Sequence, residues 1–250
     1  MSQSGLTFAG KRVLITGGGS GTGADMARGF AEAGAEVVIA GRRMVALEEV
    51  GLKTGARAIM ADVTDEASVA TMFAEAGPCQ IVVANAGAGE SAPFARMELE
   101  QWNRMIAVNL TGTFLTLRDG LRQMGSGGRL LAIASVAGLR GAAYIAGYSA
   151  AKHGVVGLIR SVALEVAAKG ITANAICPGY IETDMVEGVI ANIMTKTGKS
   201  RAEALASLTD TNPQGRLFQA AEITATALWL CGPGAEGVNG QAIAITGGAA

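Results

Sequence analysis

RVLITGGGSGTG, residues 12–23, joins a short apolar run to a glycine-rich turn. A helical pattern follows through Met26 and Phe30 and stops at Gly34. A strand, a glycine turn and a helix N-terminus in this order make an anion site, because free backbone N–H groups and the helix dipole both favour a pyrophosphate. The spacing is G-x-x-x-G-x-G rather than the common G-x-G-x-x-G, so a purely structural tight turn is the alternative.

Apolar runs of this kind recur along the chain, and segments long enough to be helices separate them. The runs are nearly continuous rather than alternating, which is typical of strands buried on both faces of a parallel sheet. We therefore predict an α/β fold: a single Rossmann-type doubly wound domain over residues 1–250, with a seven-stranded parallel sheet flanked by helices. The predicted strands are Arg12–Thr16, Glu36–Ala40, Ala56–Met60, Gln80–Ala84, Arg129–Ala134, Thr172–Cys177 and Gln241–Ile245.

Composition narrows the classes of partner. Half of the 250 residues are apolar, 16% are charged and the net charge is -1. Without basic runs, nucleic acid and anionic membrane surfaces are poor candidates, and no apolar run approaches the roughly 20 residues of a membrane span. We expect a small-molecule substrate and a cytoplasmic location. Cys79, Cys177 and Cys231 lack the spacing of a zinc site or a disulfide framework, so we interpret them as buried thiols and predict no metal site.

The segment after the second strand bears on the choice of dinucleotide. Where a carboxylate would bind the ribose hydroxyls of NAD, the chain has Gly41-Arg42-Arg43. A guanidinium in place of a carboxylate favours a 2′-phosphate and therefore NADP, with NAD as the alternative. We expect Arg42 to contact the phosphate and Arg43 to stack on the adenine or remain solvated. Ordinary surface charge is the other interpretation of the pair.

Small and polar residues follow the next two strands. Asp62-Val63 ends the third strand region, and Asp62 either caps the following helix or meets the adenine. Asn85-Ala86-Gly87 follows the fourth strand, where small side chains leave room for a cofactor. A tight turn stabilised by the asparagine is compatible with that role. In the α/β context the glycine turn is also predicted to bind a dinucleotide, through Gly17, Ser20, Gly21, Thr22 and Gly23.

Tyr148 and Lys152 are spaced four residues apart, so on a helix they share one face. A phenol is a poor proton donor or acceptor at neutral pH, and a nearby ammonium lowers its pKa, so Lys152 is expected to make Tyr148 a general acid/base. Ser135, at the end of the fifth strand, is placed to hydrogen-bond a carbonyl oxygen while the phenol protonates it. An ordinary amphipathic helix is the alternative for the pair. The lone histidine, His153, points to another face and is interpreted as structural.

A long helical stretch from about residue 98 to residue 124 contains Asn109. A mid-helix amide is usually a satisfied polar group, but one whose side chain stays free could hold a water. Farther along, residues 186–213 carry apolar side chains spaced like amphipathic helices around Thr197-Gly198-Lys199-Ser200. We interpret this segment as a small helical substrate lid, or as a helix pair that packs on a neighbouring subunit.

The chain resembles short-chain dehydrogenases/reductases over almost its whole length, through the glycine turn and Asp62, Asn85-Ala86-Gly87, Asn109, Ser135, Tyr148, Lys152, Pro178-Gly179 and Thr183. The resemblance implies that Tyr148 exchanges a proton with the substrate oxygen and that Ser135 orients this oxygen. It also implies that Lys152 holds the nicotinamide ribose and that Asn109 anchors a water on the proton path. Pro178, Gly179, Ile181 and Thr183 would border the nicotinamide, with Thr183 on its carboxamide. A homotetramer is the family expectation.

The Tyr148 environment and the lid segment resemble 3-oxoacyl-thioester and polyketide ketoreductases. The function predicted is an NADP-dependent oxidoreductase that interconverts a ketone and a secondary alcohol, with a 3-oxoacyl thioester as a candidate substrate. One alternative is an NAD-dependent dehydrogenase of a secondary alcohol, hydroxy acid or 3-hydroxyacyl-CoA. An alternative from another class is a dinucleotide-binding sensor without turnover, against which the complete set Asn109, Ser135, Tyr148 and Lys152 argues.

Overall fold

The computed structural model describes residues 7–249. Within this range one sheet contains seven strands, each parallel to its neighbours. The strands are β1 (Arg12–Thr16), β2 (Glu36–Gly41), β3 (Arg57–Met60), β4 (Ile81–Ala84), β5 (Arg129–Ile133), β6 (Thr172–Pro178) and β7 (Ala242–Ile245). Every predicted strand is present, with bounds that differ by at most one residue, and the predicted fold class is confirmed.

Helices cover both faces of this sheet. They are α1 (Gly21–Glu32), α2 (Met44–Thr54), α3 (Glu66–Ala76), α4 (Leu99–Ile106), α5 (Gly112–Gln123), α6 (Ala146–Val166), α7 (Asp184–Thr197), α8 (Arg201–Thr209) and α9 (Ala220–Cys231). The sheet order β3-β2-β1-β4-β5-β6-β7 reverses direction at β1, between β2 and β4. In open parallel sheets a ligand crevice lies at the carboxyl ends of the strands where the order reverses.

The continuous apolar strands are explained by two cores, one on each face of the sheet. In β1, Leu14 packs into the core beneath α3, α5 and α6, whereas Val13 and Ile15 pack into the core beneath α1, α2 and α9. Successive side chains point to opposite faces of a strand, so both sets must be apolar. Each fully buried side chain of this kind contributes roughly 1.5–3 kcal/mol.

The sequence suggests one long helix from residue 98 to residue 124, but the structure contains three pieces there. Between α4 and α5 lies a π-helical turn, Ala107–Thr111, in which Gly112 N–H donates to the carbonyl of Ala107 rather than to that of Val108. A Cβ on Gly112 would lie 2.7 Å from Val63 Cγ2. Tight packing of this backbone on Val63 therefore accompanies the wider turn, and it cannot be deduced from helical periodicity.

The predicted lid contains two helices, α7 and α8, and α7 begins two residues before the predicted bound at Val186. Val186, Ile190, Ala204 and Leu208 form a small core between these helices. Ser200 begins α8 with a capping box, because its hydroxyl accepts from Glu203 N–H while the Glu203 carboxylate accepts from Ser200 N–H. The helix pair thus has its own apolar contacts, and its movement over a substrate remains a prediction.

Two further expectations concern burial and membranes. Cys79, Cys177 and Cys231 are all buried free thiols, as expected. Within residues 7–249, no helix combines the length and the apolarity needed to cross a bilayer.

Candidate active site

A cleft of about 1170 Å³ runs along the carboxyl ends of the strands. This volume exceeds the roughly 300–1,000 Å³ of an ordinary small-ligand site, so it has room for a dinucleotide and a second molecule. Every residue predicted from the sequence for the cofactor or for catalysis lines the cleft: Gly17, Ser20, Gly21, Thr22, Gly23, Arg42, Arg43, Asp62, Val63, Asn85, Ala86, Gly87, Asn109, Ser135, Tyr148, Lys152, Pro178, Gly179, Ile181 and Thr183. The role of each residue remains a prediction.

The glycine turn leaves an uncapped helix end at one side of this cleft. Gly17 and Gly21 adopt the left-handed backbone conformation, with φ of 68° and 51°, which glycine accepts without steric cost. A Cβ on Gly23 would lie 2.2 Å from the Gly17 carbonyl oxygen, so the turn closes only around glycine. The side chain of Ser20 does not cap α1. The first amides of α1 therefore remain available to an anion, and this arrangement fits a pyrophosphate.

Thr16 and Asn85 tie the turn to the end of β4. The Asn85 side chain donates to the carbonyl oxygens of Thr16 (3.0 Å) and Gly17 (3.2 Å). Thr16 Oγ1 accepts from the backbone N–H groups of Asn85 (3.1 Å) and Ala86 (3.2 Å). Asn85 therefore stabilises the glycine turn, in keeping with the tight-turn interpretation. Thr16 was missed as a functional residue, and its only signal was a hydroxyl that ends an otherwise apolar strand.

The two arginines after β2 lie at the far end of the cleft from Tyr148, and both are exposed. The Arg43 guanidinium donates to Ser20 Oγ at 3.3 Å, and its stacking on the adenine remains a prediction. The side chain thereby spans from the start of α2 to the start of α1. A cation that reaches the phosphate-binding turn suits a phosphorylated ribose.

Asp62 faces the same end of the cleft. Of its two expected roles, capping the next helix is excluded, and the contact with the adenine remains a prediction. Asp65, not Asp62, caps α3 by accepting from Ala67 N–H at 3.0 Å. The Asp62 carboxylate instead accepts from the backbone N–H (2.9 Å) and the hydroxyl (2.8 Å) of Thr64. The backbone hydrogen bond from Thr64 is the largest cause of its lowered pKa, and Arg42 adds to this effect. Asp62 is therefore a fixed anion on the same side of the cleft as Arg42.

Lys152 and Tyr148 form the floor of the cleft on one face of α6. The Lys152 side chain is buried, and its Nζ donates to the Ile133 carbonyl oxygen at 2.7 Å. The same Nζ lies 5.6 Å from the centroid of the Tyr148 ring. Burial lowers the pKa of Lys152 to about 8. Ser135 stands beside the phenol, where β5 ends and a short 3-10 turn begins.

The net pKa shift of Tyr148 is opposite to the one expected from the sequence. Burial raises the pKa of the phenol, and the hydrogen bond with Ser135 opposes this rise only in part. The expectation was that Lys152 would lower it, but the lysine is itself desolvated and its ammonium is directed to Ile133. Desolvation disfavours the phenolate more strongly than the neighbouring groups favour it. In the chain alone, Tyr148 is therefore a protonated acid at neutral pH.

Asn109 lies within the π-helical turn, and its side chain makes three hydrogen bonds to backbone groups. Nδ2 donates to the carbonyl oxygens of Ala88 (2.9 Å) and Met105 (3.0 Å), and Oδ1 accepts from Ala88 N–H at 3.2 Å. Of the two interpretations of its side chain, the satisfied polar group is therefore correct. Asn109 holds the loop after β4 against α4, and its backbone carbonyl accepts from the Thr113 hydroxyl. Its role as the anchor of a water remains a prediction.

The part of the cleft between the loop after β5, the segment after β6 and α7 contains residues that the sequence did not single out. We call this part the substrate side. Arg140 and Tyr180 line it, and Asn192 on α7 donates to Ser91 Oγ at 3.3 Å across the cleft wall. Their common signal is position, since each follows a strand end or lies on the lid. His153 lies outside this lining, and its Nδ1 is 2.9 Å from the Ser149 carbonyl oxygen, in agreement with its structural interpretation.

Comparisons with known proteins agree with this geometry. A family model described as Enoyl-(Acyl carrier protein) reductase matches residues 17–250. The chain is 34% identical to the 3-oxoacyl-(acyl-carrier-protein) reductase FabG of Salmonella typhimurium, over 97% of this chain and 98% of the relative. It is 35% identical to the D-beta-hydroxybutyrate dehydrogenase of Rhizobium meliloti, over 95% and 98%.

A solved structure extends the comparison to the fold. The crystal structure of a variant of actinorhodin polyketide ketoreductase with NADPH matches with a TM-score of 0.90 and 34% identity, over 96% of this chain and 97% of that one. The family match covers most of the sequence, and the relatives align over nearly their full lengths. This chain therefore belongs to the short-chain dehydrogenase/reductase family.

Proposed function

We propose that this protein is an NADPH-dependent reductase that converts a ketone into a secondary alcohol, with 3-oxoacyl thioesters as the leading substrate class. The observation that carries the proposal is the arrangement of Ser135, Tyr148 and Lys152 in one cleft, with Lys152 Nζ 5.6 Å from the centroid of the Tyr148 ring. Reduction of a carbonyl needs an acid at the oxygen, and a phenol that is protonated at neutral pH can supply that proton. The relatives named for ketoreductase activity support the direction and the class of substrate.

The residues divide the chemistry among them. Ser135 hydrogen-bonds the carbonyl oxygen and orients it, and Tyr148 donates the proton as negative charge develops there. Lys152 places a cation behind the phenol and stabilises the phenolate that remains. A bound NADPH supplies the hydride that the carbonyl carbon receives. The C=O double bond thus gains one hydride and one proton, and the products are the alcohol and NADP.

The choice of NADPH rests on the adenosine end of the cleft. Gly41 leaves no carboxylate after β2, and Arg42 and Arg43 supply two cations there. The uncapped first turn of α1 provides N–H donors for the pyrophosphate. The structural relative named above contains NADPH. NADH is disfavoured because its ribose hydroxyls would find arginines where a carboxylate would bind them.

We also propose that α7 and α8 act as a substrate lid, that the protein is a homotetramer and that it resides in the cytoplasm. The lid is supported by the hydrogen bond from Asn192 to Ser91 across the cleft wall. Leu164 on α6 is 84% exposed, and such a side chain suits an apolar contact between subunits. Three buried free thiols suit a reducing compartment. Light scattering with chemical cross-linking tests the tetramer, and cell fractionation tests the location.

NADPH oxidation by acetoacetyl-CoA tests the function, with crotonyl-CoA as a control for reduction of a C=C bond. Tyr148→Phe is expected to keep NADPH binding and to lose about 10²–10⁴-fold in kcat, the usual worth of a positioned acid. Unchanged turnover in this variant would contradict the mechanism. Absence of turnover with any ketone, together with tight NADPH binding, would favour the sensor.

Arg42→Ala and Arg43→Ala test the choice of dinucleotide. Each is expected to raise the KM for NADPH without a comparable change in the KM for NADH, because only NADPH carries the 2′-phosphate. A wild-type preference for NADH that survives both substitutions would contradict the assignment.

A further inference from the structure

Arg140 lies in the middle of the loop that connects Ser135 to Tyr148, and it lines the substrate side of the cleft. Its side chain is exposed, and within residues 7–249 its guanidinium makes neither an ion pair nor a hydrogen bond. A free guanidinium offers five donors in a planar arrangement that matches carboxylate and phosphate groups. Ser135, Arg140 and Tyr148 all line the same cleft, and Arg140 lies on the loop between the other two.

The other cations of the cleft have different partners or positions. Lys152 is buried and donates to Ile133. Arg216 is held by the Glu222 carboxylate through two hydrogen bonds of 2.7 and 2.8 Å. Arg42 and Arg43 lie at the adenosine end. Arg140 is therefore the cation that remains available to a second ligand on the substrate side of the described cleft.

Neighbouring carboxylates do not neutralise this charge. Glu90 lines the same side, but both of its oxygens accept from Arg104, at 3.1 and 2.9 Å. Asp184 lies in the first turn of α7, where the positive end of the helix dipole favours its negative charge. Within the described residues, neither carboxylate forms an ion pair with Arg140, so its guanidinium keeps its donors for a ligand.

Tyr180 connects this charge to the catalytic centre. Burial raises the pKa of Tyr180, and Arg140 opposes that rise. Burial also raises the pKa of Tyr148, and Tyr180 adds to this rise after the opposing effect of Ser135. Arg140, Tyr180 and Tyr148 all line the same cleft, so Tyr180 links the guanidinium to the phenol electrostatically.

We propose that Arg140 is a specificity-determining residue that binds an anionic group of the substrate, a carboxylate or a phosphate, while the ketone is held at Ser135 and Tyr148. This inference rests on the proposed ketone reduction and names the substrate class more narrowly. A free oxo acid would present the carboxylate, and a 3-oxoacyl thioester on a phosphopantetheine arm would present the phosphate. Both anions suit the guanidinium, and the experiment separates them.

The test compares two matched pairs of substrates with wild-type holoenzyme and Arg140→Gln. Acetoacetate is paired with its neutral ethyl ester, and acetoacetyl-4′-phosphopantetheine is paired with neutral acetoacetyl-pantetheine. In Arg140→Gln, we expect KM to rise about tenfold to hundredfold for the anionic member of one pair, the usual worth of a hydrogen bond to a charged group. KM for the neutral member and kcat should change by less than about twofold. The pair that responds identifies the anion.

Two variants serve as controls. Arg96→Gln removes the same charge from an exposed arginine outside the cleft lining, and it should leave both pairs unchanged. Arg140→Lys keeps the charge without the planar donors and should recover part of the affinity. Equal KM changes within each pair, or no KM change for either anion, would overturn the proposal.

A binding measurement separates this inference from the proposed function. Titration calorimetry of the NADP complex with acetoacetate and with phosphopantetheine needs no turnover. If wild-type protein reduces no ketone yet binds one of these anions about tenfold more tightly than Arg140→Gln does, the proposed reduction fails and the anion site stands. If the protein reduces ketones but its anion binding does not depend on Arg140, the anion site fails and the proposed reduction stands.

Discussion

Replacing the buried Lys152 with methionine should stabilise the protein at neutral pH, although it removes a residue predicted to be catalytic. Burial lowers the pKa of Lys152 from 10.5 to about 8. At about 1.4 kcal/mol for each pKa unit, keeping this lysine charged in the fold costs about 3 kcal/mol at pH 7. The variant also loses the hydrogen bond to Ile133, worth about 0.5–1.5 kcal/mol for the neutral amine, because the part due to the charge is already contained in the pKa. Lys152→Met should therefore gain about 2 kcal/mol at pH 7.

The difference in the free energy of unfolding between Lys152→Met and the wild type should depend on pH and change sign at high pH. Between about pH 8 and pH 10.5 the unfolded chain binds the lysine proton and the folded chain does not, so the free energy of unfolding of the wild type rises with pH. The cost of the lysine falls from about 3 kcal/mol at pH 7 to about 1 kcal/mol at pH 10. Because the lost hydrogen bond does not recover, the wild type should become the more stable protein near pH 10 or above.

The assay is urea denaturation of both proteins without cofactor, at one protein concentration, at pH 7, 8, 9 and 10. At pH 7 the variant should melt about 4–8 °C higher in a parallel thermal scan. Lys169→Met, which removes an exposed lysine, is the control and should track the wild type at every pH. A stability difference between wild type and Lys152→Met that stays constant from pH 7 to pH 10 would refute the reasoning.

Three further predictions concern strain, loop anchoring and the lid. Tyr144 has a φ of 69°, so Tyr144→Gly should raise the free energy of unfolding by up to about 1 kcal/mol, whereas Tyr144→Ala should not; equal effects in urea melts would argue against strain. Asn109→Leu leaves both backbone groups of Ala88 without their partner and should cost about 1–3 kcal/mol in the same melts, and an unchanged midpoint would contradict this. Asn192→Ala removes the hydrogen bond from α7 to the cleft wall and should raise the substrate KM with little change in stability. Thr195→Ala on the same helix is the control and should leave KM unchanged. An equal rise of KM in both variants would mean a general effect on α7 and would contradict the prediction.

The sequence predicted the sheet closely because its signal is local and strong. Val13, Leu14 and Ile15 must all be apolar to enter the two cores, and each of the other strands carries the same constraint. The break between α4 and α5 has no such signal, since neither proline nor a change of periodicity marks it. It accompanies the packing of Gly112 on Val63, residues far apart in the chain. Interactions of this kind can be found only from coordinates.

The composition of the site was predictable, but its electrostatics and its hydrogen bonds were not. Residue type and order brought Ser135, Tyr148 and Lys152 together, yet the direction of the phenol pKa depends on how much water the fold excludes. Asn109 shows the same limit, because its partner Ala88 lies 21 positions away along the chain. The type of a side chain can be read from the sequence, whereas its solvation and its hydrogen-bond partners depend on the tertiary structure.

The lowered pKa of Lys152 and the raised pKa of Tyr148 have one physical origin and one chemical consequence. Burial disfavours the charged form of each group, so the cleft floor without ligands is poised between a partly labile ammonium and a neutral phenol. Proton donation by Tyr148 leaves a phenolate near that ammonium, whose Nζ lies 5.6 Å from the ring centroid. Because the pKa of the phenol stays raised, the neighbouring groups offset only part of the desolvation of the phenolate. The phenol therefore gives up its proton only to an oxygen that is gathering negative charge, and a carbonyl that receives a hydride supplies such an oxygen.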